Sequence, residues 1–194
     1  MKAAAAGAAP KRLRWTVKEY FRLSRMGFFG DRRVELVNGD IVQIPAQATA
    51  HRTSVTRIAN LLFRAFGSTD WVVVQGTLVL GTYAAPDPDF HVLDVPPGTP
   101  DKHLPVPRLV IEVSDTTYLK DCGPKLRLYA RAGVPEYWIV NLPLERVEAY
   151  WHPENAAGGA SGWRYRSVTF HARGDEVRML RRPVVAFPVD AMLP

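Results

Sequence analysis

The apolar and polar positions of the first third of the chain predict two helices separated by a hairpin. In "VKEYFRLSRMG", Thr16 precedes the apolar pattern and Glu19 follows it three residues later, which is the spacing of a capping box. "RRVELVNGDIVQIP" predicts two alternating strands joined by Asn38-Gly39, a strong hairpin signal. In "TAHRTSVTRIANLLFRAFG" the apolar residues recur at helical spacing up to Gly67, where the helix is expected to stop.

The middle of the chain predicts a buried sheet with one helical connection. "WVVVQGTLVLG" indicates a bent strand or two short ones, "PDPDFHVLDV" another short strand, and 96–107 a proline-rich loop. "RLVIEVS" and "EYWIVN" are continuous apolar runs, typical of strands that are buried on both faces. Between them a helix is predicted, with Asp121 or Cys122 as its cap and Pro124 in its first turn.

The last third predicts antiparallel strands, in "RVEAYWHP", "GWRYRSVTF" and "DEVRML", with "ENAAGGASG" as a loop tip. The order strand, helix, strand across 108–141 implies one right-handed parallel crossover within a mostly antiparallel sheet. The predicted class is therefore α/β, or α+β, with a mixed central β-sheet flanked by helices.

Composition limits the classes of protein to consider. The 194 residues are 47% hydrophobic and 23% charged, as in ordinary globular proteins, and we expect a flexible tail over 1–14 and a single domain over 15–194. The formal charge of +6 favours a polyanionic partner but does not by itself establish one. The lone cysteine, Cys122, excludes an intrachain disulfide, so a cytoplasmic location is expected. No apolar run approaches the roughly 18 residues that span a membrane.

Three acidic residues lie where a solvated charge is unexpected. Glu35 is flanked by apolar residues in "RRVELV", Asp89 begins "DFHVL", and Glu112 interrupts a buried strand. Carboxylates that meet at strand ends repel one another unless a cation lies between them, and oxygen ligands suit Mg²⁺ or Mn²⁺. Lys125, one connection later, is a candidate for stabilising a metal-bound hydroxide.

Simpler interpretations exist for each of these residues. Glu112 could pair with Arg108 or Arg127, and Glu35 could face water at a strand edge. Asp87 and Asp89 could be turn residues within "APDPDF", and Lys125 could be an ordinary solvated helix residue. The spacing of the four residues alone does not decide between these interpretations and a shared site.

Several longer segments resemble a known family. "TVKEYFRL", "RVELVNGDIVQIPAQATAH", "APDPDFHVL", "RLVIEVSDTTYLKD" and "KLRLYARAGVPEYWIVNL" are similar to the Uma2 family, which belongs to the PD-(D/E)xK restriction-endonuclease-like superfamily. The likeness runs from about Thr16 to the C-terminus. It implies a restriction-endonuclease-like core with a metal site at strand ends.

The resemblance also implies roles for individual residues. Glu35 matches the acid of the family's "ELxxGE" motif, Asp89 the aspartate of its "PD" motif, and Glu112 the acid of the next strand. Ser114 stands where the superfamily has lysine, and Lys125 matches the lysine that the family supplies from the following helix. The catalytic set implied by the resemblance is therefore Glu35, Asp89, Glu112 and Lys125.

Further positions matter to the implied site. Val113 is expected to offer its backbone carbonyl to the metal beside Asp89 and Glu112, and three residues match motif positions of supporting function, namely His51, Gln75 and Asp121. The chain departs from the family at Asp40, where glutamate is usual, and over 119–122. Because of that second departure, Lys120 competes with Lys125 as the catalytic ammonium.

The implied activity is metal-dependent hydrolysis of DNA by an endonuclease that uses Mg²⁺ or Mn²⁺. A homodimer is expected, because cutting both strands of a duplex with one site per chain is simplest with two-fold symmetry. The alternative is a catalytically weak or inactive module on the same fold that binds nucleic acid or protein.

Overall fold

The computed structural model describes residues 12–67, 70–95, 105–156, 158 and 162–194. Most of the predicted tail, most of the proline-rich loop and the tip of "ENAAGGASG" lie outside these ranges. The helical segments are α1 Val17–Arg25, α2 Thr49–Phe66, α3 Tyr118–Lys120, a π-helical turn Asp121–Lys125, α4 Leu126–Arg131 and a 3-10 turn Val189–Ala191. The strands are β1 Val34–Val37, β2 Asp40–Gln43, β3 Trp71–Val74, β4 Phe90–Leu93, β5 Leu109–Ser114, β6 Glu136–Asn141, β7 Arg146–Asn155, β8 Trp163–Ala172, β9 Glu176–Met179 and β10 Arg182–Pro188.

Six strands form the central sheet, in the order β3-β4-β5-β6-β7-β8. The pair β5-β6 is parallel, and the other neighbours in this sheet are antiparallel. The chain returns from β5 to β6 through α3, the π-helical turn and α4, because a parallel neighbour cannot be reached through a tight hairpin. The predicted mixed sheet of an α+β protein is confirmed.

Both faces of the sheet are covered, which explains the unbroken apolar runs in the sequence. On β6, Trp138 and Val140 join the core beneath α2, together with β9 and β10. Tyr137 and Ile139 point to the opposite face and pack with Tyr129 of α4. Side chains alternate between faces along a strand, so a strand covered on both sides is apolar at successive positions.

The predicted capping box of α1 and the predicted hairpin turn between β1 and β2 are both present in the structure. The Thr16 hydroxyl accepts a hydrogen bond from the Glu19 amide, and the Glu19 carboxylate accepts one from the Thr16 amide, which completes the capping box of α1. Asn38 and Gly39 both have positive φ and turn β1 into β2. Leu36 and Ala85 exchange backbone hydrogen bonds, so the hairpin lies beside the segment that leads into β4.

Three expectations about elements need correction. The helix after β5 begins at Tyr118, before the predicted caps, and Pro124 lies inside a π-helical turn. The wider turn accommodates a residue that has no amide to donate and whose ring would crowd the preceding turn. β10 was missed because Pro183 and Pro188 weaken its strand signal, and it pairs with β9 through an irregular register. In "WVVVQGTLVLG" only Trp71–Val74 is a strand.

Candidate active site

A cavity of about 100 Å³ opens beside the ends of β1, β4 and β5. Its floor comes from the sheet, and the segment 115–125 forms another wall. The residues around it are Arg33, Glu35, Ile44, Pro45, Ala46, Gln47, Ala48, His51, Asp87, Asp89, Glu112, Val113, Asp115, Thr116, Thr117, Lys120, Asp121 and Lys125. The four residues of the predicted catalytic set therefore share one cavity, although they are far apart in sequence.

Asp89 is buried immediately before β4, and both of its carboxylate oxygens have partners. Oδ2 accepts a hydrogen bond from the Val113 amide at 2.9 Å and lies 3.2 Å from Nε2 of His51. Oδ1 accepts one from the Gln75 amide group at 3.2 Å. Burial raises the pKa of Asp89, but His51, Val113 and Gln75 outweigh burial and hold this pKa below its ordinary value. Asp89 is therefore ionised at neutral pH.

The partner of Asp89 on β5 also determines where a neighbouring carbonyl points. In an extended strand the N–H and C=O of one residue lie on the same side of the strand. Because the amide of Val113 faces Asp89, the carbonyl of Val113 faces the same side of β5. Pairing between β4 and β5 has already ended there, at Phe90 and Ile111. An oxygen donor of the backbone is thus directed toward the candidate site.

Glu112 and Lys125 form an ion pair within the protein. The Lys125 ammonium lies 2.8 Å from Oε1 of Glu112, and the side chains are 3% and 5% exposed. Tyr129 donates a second hydrogen bond to the same oxygen at 2.7 Å. Burial raises the pKa of Glu112 above its ordinary value, an effect that Lys125 opposes and the neighbouring carboxylates increase. Burial lowers the pKa of Lys125, yet Glu112 and Glu35 raise it above its ordinary value, so the amine stays protonated.

Glu35 connects the two lysines that competed for the catalytic role. Its side chain is fully buried; Oε2 lies 3.1 Å from the Lys125 ammonium and Oε1 lies 2.9 Å from that of Lys120. The amide of Asp87 also donates to Oε2. Burial raises the pKa of Glu35, but the two ammonium groups outweigh burial and lower this pKa. The interpretation of Glu35 as a solvated edge residue is wrong.

The two lysines differ in their surroundings. Lys125 contacts both Glu35 and Glu112 and is almost completely buried. Lys120 contacts Glu35, and 23% of its side chain is exposed. The alternative pairing of Glu112 with Arg108 is not seen, since Arg108 contacts Asp94 instead.

Asp121 lies in the π-helical turn and anchors it to β5. Its Oδ2 accepts hydrogen bonds of 2.6 Å from the hydroxyls of Ser114 and Thr117. Its Oδ1 is buried and has no hydrogen-bond partner among the described residues. Burial raises the pKa of Asp121, while Lys125 and the two hydroxyls oppose that rise. Ser114 thus binds the segment that carries Lys125.

Some residues that belong to this arrangement were not identified from the sequence. Tyr129 lies four residues after Lys125, so both are on one helix face and bind Glu112, although an aromatic residue on the inner face of a helix is expected only to pack in the core. Asp87, for which a turn was one of the interpretations, donates its backbone amide to Glu35. Thr117 carried no signal, because its contact with Asp121 depends on where the helix begins.

The lining of the cavity is rich in negative charge. Six carboxylates face three permanently cationic side chains: Glu35, Asp87, Asp89, Glu112, Asp115 and Asp121 against Arg33, Lys120 and Lys125. Within the described ranges, no group of three or more His, Cys, Asp or Glu side chains is already arranged as a metal cage. The carboxylate oxygens of this lining are the kind of donor that magnesium and manganese prefer. In the same part of the chain, no helix is both long and apolar enough to cross a membrane.

Comparison with known proteins identifies the family and the fold of the chain. The model of the Uma2 family, described as a putative restriction endonuclease, matches residues 17–183. Among solved structures, the fold is similar to that of a putative nuclease belonging to DUF820 from Anabaena variabilis ATCC 29413, with a TM-score of 0.69. The two chains share 11% sequence identity over 91% of this chain and 96% of the other, so the likeness shows the fold alone. No curated protein sequence matches this chain.

Proposed function

The chain belongs to the Uma2 family of putative restriction endonucleases, and on that premise we propose that it is a metal-dependent endonuclease that hydrolyses phosphodiester bonds in DNA. The observation that carries the proposal is the grouping of Glu35, Asp89, Glu112 and Lys125 around one cavity. Each is charged in its ordinary state and almost completely buried. Burial of charged groups is unfavourable and is found most often where the charges pair or take part in chemistry.

The metal in this proposal is Mg²⁺ or Mn²⁺, held by Asp89, Glu112 and the carbonyl of Val113. The excess of carboxylates around the cavity supports a divalent cation, since a cation relieves their mutual repulsion. Magnesium is usually bound through one or two carboxylates and retains several waters, so the small donor set fits it. When bound, such an ion polarises a phosphate and lowers the pKa of a coordinated water.

We assign the ammonium of Lys125 to the stabilisation of negative charge on the attacking oxygen and the phosphate. The carboxylates of Glu112 and Glu35 hold it in place, and they keep it protonated. Because it is fixed before substrate binds, it needs no reorganisation when charge develops. Lys120, with one carboxylate partner and a partly exposed side chain, is assigned to binding a substrate phosphate.

The remaining residues position these groups. His51 and Gln75 bind different oxygens of Asp89 and thereby fix the plane of its carboxylate. Asp121 ties the π-helical turn to Ser114, so the turn that ends at Lys125 is held against β5. A rigid shell of this kind is needed because catalysis depends on the orientation of the reacting groups.

Nicking of a supercoiled plasmid tests the proposal. The purified protein is incubated with plasmid in Mg²⁺, in Mn²⁺ and with a chelator, beside parallel reactions with single-stranded DNA and with RNA. We expect nicking with either metal and none with the chelator. Cleavage of RNA alone would replace DNA as the substrate, and absence of cleavage of every nucleic acid with both metals would refute the endonuclease activity.

One observation favours the alternative, a nucleic-acid-binding module without catalysis. Lys125 already neutralises charge on Glu112 and Glu35, so these carboxylates can be accommodated without an ion. A module of this kind would bind DNA equally well with and without Mg²⁺ and would cut none. Electrophoretic mobility shifts measured beside the nicking assay distinguish the two functions.

The same proposal includes an assembly and a location. We propose a cytoplasmic homodimer of a single domain spanning 15–194, because two sites related by two-fold symmetry can cut both strands of a duplex. Light scattering coupled to size exclusion measures the mass of the particle. A monomer that nonetheless makes double-strand breaks in one binding event would contradict the dimer.

A further inference from the structure

The hydroxyl of Tyr129 lies in an unusual position for a core tyrosine. The residue is completely buried, and its hydroxyl donates to Oε1 of Glu112 at 2.7 Å. Three other buried tyrosines of the described chain, Tyr20, Tyr137 and Tyr165, satisfy their hydroxyls on backbone carbonyls. Tyr129 therefore differs from them, because its hydroxyl donates to a carboxylate of the candidate site.

The two donors to Glu112 select one of its oxygens. Both the Lys125 ammonium and the Tyr129 hydroxyl bind Oε1, and they come from one face of the helix, four residues apart. Within the described part of the chain, Oε2 receives no hydrogen bond, and Glu112 lines the cavity. A carboxylate held at one oxygen by two donors from different directions has a fixed plane, so its second oxygen remains available for a ligand.

The ring of Tyr129 is itself immobilised. It packs against the ring of Tyr137 with 5.0 Å between centroids, and the Tyr137 hydroxyl donates to the carbonyl of Asp121 in the π-helical turn. The hydroxyl is thus held rigidly as a donor to Glu112.

We propose that Tyr129 is a positioning residue that holds Oε1 of Glu112 so that Oε2 faces the cavity as a ligand for a divalent cation. This inference rests on the proposed function, because it assigns an orientation to a carboxylate that the proposed function uses as a metal ligand. It adds a residue that neither the motifs nor the spacing of the acids identified. It also explains why the helix after β5 presents two donors to one oxygen.

Mn²⁺ binding to the whole protein, measured by isothermal calorimetry and by the electron paramagnetic resonance of free Mn²⁺, tests the inference. The variants are Tyr129→Phe, which removes the hydroxyl, and Tyr165→Phe, which removes an equivalent buried hydroxyl bound to the carbonyl of Val134. Glu112→Gln removes the carboxylate itself. Loss of a hydrogen bond to a metal ligand weakens metal affinity by about 10- to 100-fold. We expect a loss of about 10-fold in Tyr129→Phe and a change below about two-fold in Tyr165→Phe.

The outcomes separate the inference from its premise. If the wild type binds Mn²⁺, Glu112→Gln does not, and Tyr129→Phe binds as the wild type does, the positioning role is refuted and the metal site stands. If Glu112→Gln binds Mn²⁺ normally, or the wild type does not bind it, the metal site itself fails and the inference fails with it. If Tyr129 had only a structural role, Tyr129→Phe and Tyr165→Phe would lower the melting temperature by similar amounts and would leave the Mn²⁺ affinity unchanged. That result would also refute the proposal.

Discussion

Replacing Lys125 with methionine removes the ammonium that bridges two buried carboxylates and leaves a side chain of similar length. The Lys125 side chain is 3% exposed, and those of Glu112 and Glu35 are 5% and 0% exposed. Removing one partner of a buried ion pair destabilises a protein by about 3–5 kcal/mol, because the other charge stays buried without compensation. We expect about 3 kcal/mol, the lower end, because Glu112 can take up a proton and Glu35 keeps Lys120.

Urea denaturation followed by circular dichroism measures this loss. For a chain of this length, about 3 kcal/mol corresponds to a fall of about 6–12 °C in melting temperature. The double variant Lys125→Met/Glu112→Gln should recover at least about 1 kcal/mol of the loss, because the uncompensated carboxylate is removed with its partner. Lys120→Met, which removes a partly exposed lysine with one carboxylate partner, should cost about 1 kcal/mol or less.

A Lys125→Met variant that is as stable as Lys120→Met, or more stable, would contradict this expectation. If the losses in the free energy of unfolding of Lys125→Met and Glu112→Gln were additive in the double variant, the expectation would also be contradicted, because residues that form a charge pair must show an interaction energy. Either outcome would mean that the ammonium does not balance the buried carboxylates.

Three further predictions follow from other contacts. Burial lowers the pKa of His91 to about 4 from its ordinary value of 6.5. The contribution of this neutral histidine to stability is therefore present above pH 6.5 and is lost as the pH falls toward 4. In urea denaturation, His91→Gln should remove about 3 kcal/mol of this pH dependence. Thr16→Ala, which breaks the capping box of α1, should lower the free energy of unfolding by about 1 kcal/mol without changing nicking. Lys120→Met should raise the KM for DNA more than it lowers kcat, because its proposed contact is to a bound phosphate.

Each of these has a matched control in the same chain. His171→Gln removes a partly exposed histidine, and an equal effect of both histidine variants would contradict the assignment to His91. Thr56→Ala removes a threonine on the exposed side of α2, and a loss equal to that of Thr16→Ala would exclude capping as the cause. Lys18→Met removes an exposed lysine of α1; an equal rise in KM would indicate a general charge effect.

Elements with local causes could be predicted from the sequence. The capping box at Thr16 and the turn at Asn38-Gly39 depend on residues within a few positions of one another. The buried strands β5 and β6 were predictable because coverage of both sheet faces makes consecutive positions apolar. The fold class followed from the order of these elements.

The helix that carries the lysines could not be placed correctly, and its placement decides the site. A π-helical turn between Asp121 and Lys125 shifts the register of the helix, and periodicity in a sequence does not reveal such a turn. The same limit applied to β10, whose prolines hide a strand that pairs with β9. Because the register was unknown, spacing alone could not decide between Lys120 and Lys125.

The acids were identifiable as unusual, but their partners were not. Glu35 meets Lys120 across 85 positions of the chain, and Asp89 meets the amide of Val113 across 24. Contacts at such separations depend on how the hairpin lies against the sheet, which no local pattern encodes. Tyr129 shows the opposite case, since an aromatic residue on the inner face of a helix is expected in a core whether or not its hydroxyl binds a functional carboxylate.

The rate of plasmid nicking by Asp89→Asn as a function of Mg²⁺ concentration measures whether Asp89 holds the metal that the proposed endonuclease requires. Asparagine keeps the size of the side chain, and Asp94→Asn serves as a control because Asp94 lies just beyond the same strand, exposed and paired with Arg108. We expect a fall of about 100-fold or more for Asp89→Asn and a change below about two-fold for Asp94→Asn. Nicking by Asp89→Asn at the wild-type rate and with the wild-type Mg²⁺ dependence would contradict this expectation, because the metal would then be held elsewhere.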